Sequence, residues 1–119
     1  MGSNSPHNAM NEPFSCDVTV TPTYAMAYAH GELDISTAGG LTAQLAPLAR
    51  AGGEIVVDLS DLSFLGSAGL RALADLDEIA TAAGGSLLLA GMPHFISRLL
   101  SIAGMNGHFT AADTPRERR

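Results

Sequence analysis

The run Glu54-Ile-Val-Val-Asp-Leu59 constrains the fold of this chain more than any other segment. It is β-branched and apolar without alternation, the pattern of a strand covered on both faces. Such a strand needs helical layers, and the flanking sequence supplies them. Gly52-Gly53 ends the element before it, and a helical pattern runs from about Ser67 to Ala83, where Gly84-Gly85 stops it. Ser86-Leu-Leu-Leu-Ala90 then follows as another buried strand.

The rest of the chain extends this alternation. Phe14, Cys16, Val18 and Val20 recur at the period of a half-buried strand, Thr21-Pro22-Thr23 reads as a turn, and Tyr24 to His30 returns antiparallel to the first strand. Ser36 and Thr37 are N-cap residues for a helix carrying Leu41, Leu45 and Leu48, which Pro47 is expected to kink or end early. Pro93 starts a third helix through Phe95, Ile96, Leu99, Leu100 and Ile102, Gly104 stops it, and a short strand falls around Phe109. Strands joined through helices lie parallel with right-handed crossovers. The expected architecture is therefore α/β: a mixed sheet, opened by an antiparallel hairpin and continued by parallel strands, covered by three to four helices. One domain spans residues 13–112, after a flexible leader over 1–12 and before a disordered tail over 113–119. At 119 residues and 46% hydrophobic content, one sizeable core is affordable and a second domain is not expected.

Charge narrows the partners. Twelve acidic residues oppose six arginines, and a net charge of -6 repels polyanions, so neither nucleic acid nor an anionic membrane surface is expected to bind. The single Cys16 cannot close an internal disulfide, and no secretory signal or membrane-length apolar run is found, which together suggest the cytoplasm.

On a helical wheel, Leu70, Leu73, Leu76, Ile79, Ala80 and Ala83 occupy the half that must face the sheet. Ser67, Arg71 and Glu78 lie opposite, with Asp75 nearby. Ser67 is thus expected at an exposed helix start, following a buried strand and a short loop. Its simplest role there is that of an N-cap. A helix start also tolerates a phosphoryl group, because its first N–H groups are unpaired and carry partial positive charge. A phosphoserine brings about −1.5 to −2 charges, enough to disrupt an interface that must desolvate it.

The segment Val57-Asp-Leu-Ser-Asp-Leu-Ser-Phe-Leu-Gly-Ser-Ala-Gly-Leu70 resembles the signature of bacterial anti-sigma factor antagonists of the STAS domain family. His30-Gly-Glu-Leu-Asp34 with Thr37-Ala38, Gly85-Ser-Leu-Leu-Leu89, and Ser97-Arg-Leu-Leu-Ser-Ile-Ala-Gly104 extend the similarity over about Cys16 to Ala111. The resemblance implies a STAS fold and partner switching. The family's phosphorylated serine falls on Ser67; the unphosphorylated protein would bind a serine/threonine kinase that doubles as an anti-sigma factor, freeing the sigma factor, and a PP2C-type phosphatase would reset the phosphorylated form. Two positions depart from the commonest pattern: Gly66 replaces an aspartate, and Ala68 replaces a second hydroxyl residue. A STAS module that serves as a non-switching scaffold is the alternative reading.

Open α/β sheets place their sites at strand C-terminal ends. The expected partner surface is the loop from Asp58 to Gly66 with the start of the following helix, beside the Gly31 to Thr37 junction. Its residues are Asp34, Thr37, Asp58, Ser60, Asp61, Gly66, Ser67, Ala68, Gly69 and Arg71. Gly66-Ser67-Ala68-Gly69 is no nucleophile elbow, since Leu65 stands where that motif needs glycine. No acid, base and nucleophile set suggests an enzyme. Histidines at 7, 30, 94 and 108 are too dispersed for a metal site, loop carboxylates such as Asp58 and Asp61 usually cap or are solvated, and no P-loop spacing follows Gly52-Gly53. No cofactor is expected.

Overall fold

In a computed structural model of the protein, residues 14–102, Gly104 and the strand at 110–112 are described. The element order is β1 (Ser15–Val20), β2 (Tyr24–Leu33), α1 (Ala38–Arg50), β3 (Glu54–Leu65), α2 (Ser67–Ala82), β4 (Ser86–Ala90), α3 (His94–Ile102) and β5 (Thr110–Ala112). Strand order in the sheet is β1-β2-β3-β4-β5. Only β1 and β2 are antiparallel; each later strand is parallel to its neighbour. The expected leader and tail lie outside the described residues, as does Phe109.

Residues 55 to 59 of β3 are all buried, as a strand without alternation requires. Ile55, Val57 and Leu59 enter the main core with Leu41 and Leu45 of α1, Leu73 and Leu76 of α2, and Ile96 and Leu100 of α3. All three helices thus contribute to the core on that sheet face. Val56 faces the other way and is buried with Met26 and Ala90, packed by Tyr24, Tyr28 and Leu88.

Three local expectations need correction. The first helix does not end at Pro47 but runs on to Arg50. Pro47 and Ala43 are both exposed, so the carbonyl that proline leaves unpaired falls on the solvent side, where water can satisfy it. Thr37 holds the N-cap position without a side-chain cap bond, because its hydroxyl is turned back toward β2. Ala83 lies just past α2 and is exposed rather than set against the sheet.

The largest correction concerns residues 60–65, expected as a loop. They continue β3. The ladder runs from Tyr24 opposite Glu54 to Leu33 opposite Leu65, so ten residues of β2 match twelve of β3. The two extra residues enter as register shifts, one between Tyr28 and His30 and one between Gly31 and Glu32. Each is a bulge, uncommon in parallel pairs, and each bends and twists its strand.

Candidate functional site

The bulges explain a burial pattern that neither strand nor helix period produces. Leu59, Leu62 and Leu65 are buried at intervals of three, opposite a β2 on which Ala29, Gly31 and Leu33 are buried at intervals of two. The sequence carries this as a repeated triplet, Asp58-Leu-Ser60 and Asp61-Leu-Ser63. Asp58 secures the first bulge: its carboxylate accepts bonds from the backbone N–H of Ser60 at 2.9 Å and from the Ser60 hydroxyl. At the second, the Ser63 hydroxyl donates to the Gly31 carbonyl at 3.3 Å. Asp58 is only 2% exposed, so it is an internal brace and not the surface group expected from sequence. Gly91, with φ at +60°, passes so close that a Cβ there would lie 2.9 Å from the carboxylate. A side chain at 91 would displace the brace.

β4 pairs with β3 only as far as Asp58, and β1 pairs with β2 only as far as His30. The ends of β2 and β3 therefore project beyond the sheet as a two-stranded ribbon. At its base the His30 ring lies between two carboxylates, with Nδ1 3.1 Å from Asp61 and Nε2 3.1 Å from Asp17. One side chain thereby links β1 to β3 across β2. Asp61 is exposed and engaged in this link.

At the ribbon's tip, two turns are joined. The Gly66 N–H donates to the Leu33 carbonyl at 3.0 Å, tying the entry of α2 to the end of β2. Gly69 is buried against the same place, and a Cβ there would meet Leu65 Cδ1 at 2.7 Å and the Leu33 carbonyl oxygen at 2.9 Å. Glycine at 69 thus serves close approach. Beside it, the Asp34 carboxylate accepts the Ser36 hydroxyl at 2.7 Å and the Ser36 N–H at 2.9 Å, while Thr37 Oγ1 donates to the Glu32 carbonyl at 2.9 Å. The bonds that the Asp34 carboxylate accepts, led by that of the Ser36 hydroxyl and joined by Thr37 Oγ1 at 3.2 Å, hold its carboxyl below its ordinary value. Asp34 and Thr37, both expected at the partner surface, are knitted into this turn. Its tip is Ile35, 87% exposed.

Ser67 is the first residue of α2. Gly66 holds the N-cap position in extended conformation, so Ser67 does not cap the helix; among the described residues its hydroxyl has no hydrogen-bond partner. The first intrahelical bond is donated by Leu70 to the Gly66 carbonyl, leaving the N–H groups of Ser67, Ala68 and Gly69 ahead of it. No acidic residue lies in that turn. Arg71, one turn on, is exposed and lies 3.8 Å from Asp75, an i,i+4 surface pair of small energetic weight. Ser60 is exposed on the ribbon and Ala68 is half-buried.

Two residues at this tip were not singled out from sequence. Ile35 stands alone in a hydrophilic turn. Phe64 is 47% exposed, and its ring lies over Gly66, 3.1 Å from where a Cβ would be. An isolated apolar residue among turn formers is the signal that would have found Ile35. Phe64 was obscured because its segment was read as a loop. Among the described residues, no three His, Cys, Asp or Glu side chains are grouped to hold a metal ion, and no helix is long and apolar enough to cross a membrane.

A mixed sheet with its helices on one face, ending in a projecting ribbon and a helix that starts on an unbonded serine, defines a STAS-type binding module. A family model described as "Mlab, STAS domain" matches residues 26–111. The chain belongs to the STAS domain family, and the relatives it resembles are anti-sigma factor antagonists. It is 33% identical over 75 residues to the anti-sigma-B factor antagonist of Bacillus subtilis (strain 168), covering 63% of this chain and 69% of that one. An anti-sigma factor antagonist from Mycobacterium paratuberculosis superposes with a TM-score of 0.76 at 24% identity, over 88% of this chain and 90% of that one. The antagonist SpoIIAA matches in its unphosphorylated form (TM-score 0.71, 20% identity, 89% and 92% covered) and, from Bacillus, in its phosphorylated form (0.67, 20%, 89% and 95%).

Proposed function

We propose that this chain is an anti-sigma factor antagonist that binds an anti-sigma factor serine/threonine kinase, frees the sigma factor, and is released when Ser67 is phosphorylated. The observation that carries this reading is the exposed Ser67 hydroxyl, unbonded among the described residues, at the start of a 16-residue helix. In the transfer, Ser67 Oγ attacks the γ-phosphorus of ATP, the new Oγ–P bond replaces the bond to ADP, and the hydroxyl proton passes to a base of the kinase. The free N–H groups of the first turn and Arg71, one turn along, can meet the added charge. The unphosphorylated surface carries no such charge, so the kinase loses its complement when the phosphoryl group must be desolvated. A PP2C-type phosphatase hydrolyses the phosphoester and restores the binding form. The setting implied is the cytoplasm, with no cofactor held by the chain and no enzymatic activity of its own.

Incubation of the purified protein with the kinase and Mg-ATP should add one phosphate, on Ser67, and dissociate the complex, while Ser67→Ala stays bound. Label at another residue, or dissociation of Ser67→Ala, would overturn the proposal. One observation favours a second reading, a non-switching scaffold: Gly66 and the Phe64 ring occupy the place of the usual acidic neighbour. Ser67→Asp separates the two, since it abolishes kinase binding only if the switch operates.

A further inference from the structure

Five large apolar side chains are exposed among the described residues: Val20, Ile35, Phe64, Phe95 and Ile102. Two of them are anchored to the turn that carries Ser67. The Phe64 ring lies on Gly66, the residue before the serine, and Ile35 follows by two residues Leu33, whose carbonyl holds the Gly66 N–H. Neither is required by the core. Ile35 is 87% exposed on a turn already closed by Asp34, Ser36 and Thr37, and Phe64 projects from the ribbon on the side opposite the buried Leu62 and Leu65.

The charges on the two strands and the turn that carry the pair are acidic. Glu32 is the cross-strand partner of Phe64, Asp34 adjoins Ile35, and Asp61 lies on the same ribbon. Arg71 is the cation near this end, and it lies beside Asp75. An apolar centre with an acidic rim is complementary to a partner face that offers an apolar cleft bordered by arginine or lysine.

We infer that Ile35 and Phe64 are the apolar anchors by which the partner kinase grips this chain, inserted into a basic-rimmed cleft beside the turn that carries Ser67. This rests on the switching function proposed above and adds what supplies the affinity. It also accounts for how one phosphate suffices. With the two anchors seated, the Ser67 hydroxyl is enclosed in a water-poor contact, where a dianion is costly and finds no place in the apolar seal. The anchors make the surface both adhesive and intolerant of charge.

The test is a binding series with the purified anti-sigma factor kinases encoded in the source genome, immobilised with ADP. Ile35→Ser and Phe64→Ala should each weaken binding about tenfold or more, as central apolar anchors do, while Val20→Ser, at an exposed valine at the far end of the sheet, changes it less than about twofold. Ile35 is so exposed that its variant should fold as the parent does, which circular dichroism checks. Raising salt from about 50 to about 500 mM should weaken the wild-type complex through its rim charges. Binding by both anchor variants within about twofold of wild type, with Ser67 phosphorylation still releasing the parent, would overturn the anchors and leave the switch standing. Binding of the parent by none of the kinases would instead refute the switch on which they rest.

Discussion

The two halves of β3 obey different rules. From Glu54 to Asp58 the strand has β2 on one side and β4 on the other, and every residue from Ile55 to Leu59 is buried. From Ser60 to Leu65 it pairs with β2 alone, through two bulges, and buries every third residue. The first half is fixed by packing from both faces. The second is fixed by one neighbouring strand and by side chains that brace its bends. The difference shows how one strand can be both frame and platform: the ribbon is attached rigidly at its base, yet its outer face is free to carry Phe64 because the core does not need it.

The comparison predicts unequal costs. Ile55→Ala, in the doubly flanked half, should destabilise the protein by about 2–5 kcal/mol, and Leu62→Ala in the ribbon by about 2 kcal/mol, as measured by urea unfolding. Equal losses would mean that the ribbon is packed as tightly as the frame. Next in size is Asp58→Ala, which removes the acceptor for the Ser60 N–H and hydroxyl and should cost about 1–3 kcal/mol. Amide exchange should then accelerate most between Ser60 and Leu65; uniform acceleration would show that Asp58 supports the whole sheet and not the bulge. The smallest effect belongs to Asp34. Its carboxyl is held below the ordinary value of 3.8, so its contribution is present above 3.8 and is lost as the pH falls through the lowered folded value. Amide shifts of Ser36 and Thr37 should move in that acid window, while those of Val56 and Val57 do not.

The frame was legible in the sequence and the platform was not. A run such as Ile55 to Leu59 has one physical solution, a strand buried on both faces, and the 3.6-residue spacing of Leu70, Leu73 and Leu76 likewise admits one helix face. The mixed sheet and its strand directions followed from those elements. Residues 60–65 were read as a loop because a period of three matches neither a strand nor a helix, and only the repeated Asp-Leu-Ser triplet marks the bulges. At the candidate site, the exposed helix start at Ser67 was readable from spacing. The inward turn of Asp58 and Thr37 was not, because a polar residue near a strand end is equally able to meet solvent or brace a bend, and the choice depends on tertiary neighbours.

The three-against-two arrangement has a consequence for how this segment tolerates changes in length. Ser63 is one residue by which β3 exceeds its partner, since Leu62 lies opposite Gly31 and Phe64 opposite Glu32; the other falls between Asp58 and Asp61, which lie opposite Tyr28 and His30. Excising Ser63 would leave ordinary alternation across that bulge, with each leucine still facing inward and Ser67 still following the end of the ladder, whereas excising Ser60 would also strip the buried Asp58 of the two bonds it accepts. A one-residue deletion in a strand ordinarily inverts every side chain beyond it. At Ser63 it would be silent in orientation and felt as a straighter ribbon without the bond to the Gly31 carbonyl, so the chain can vary in length at that bulge without the fold losing its reading frame.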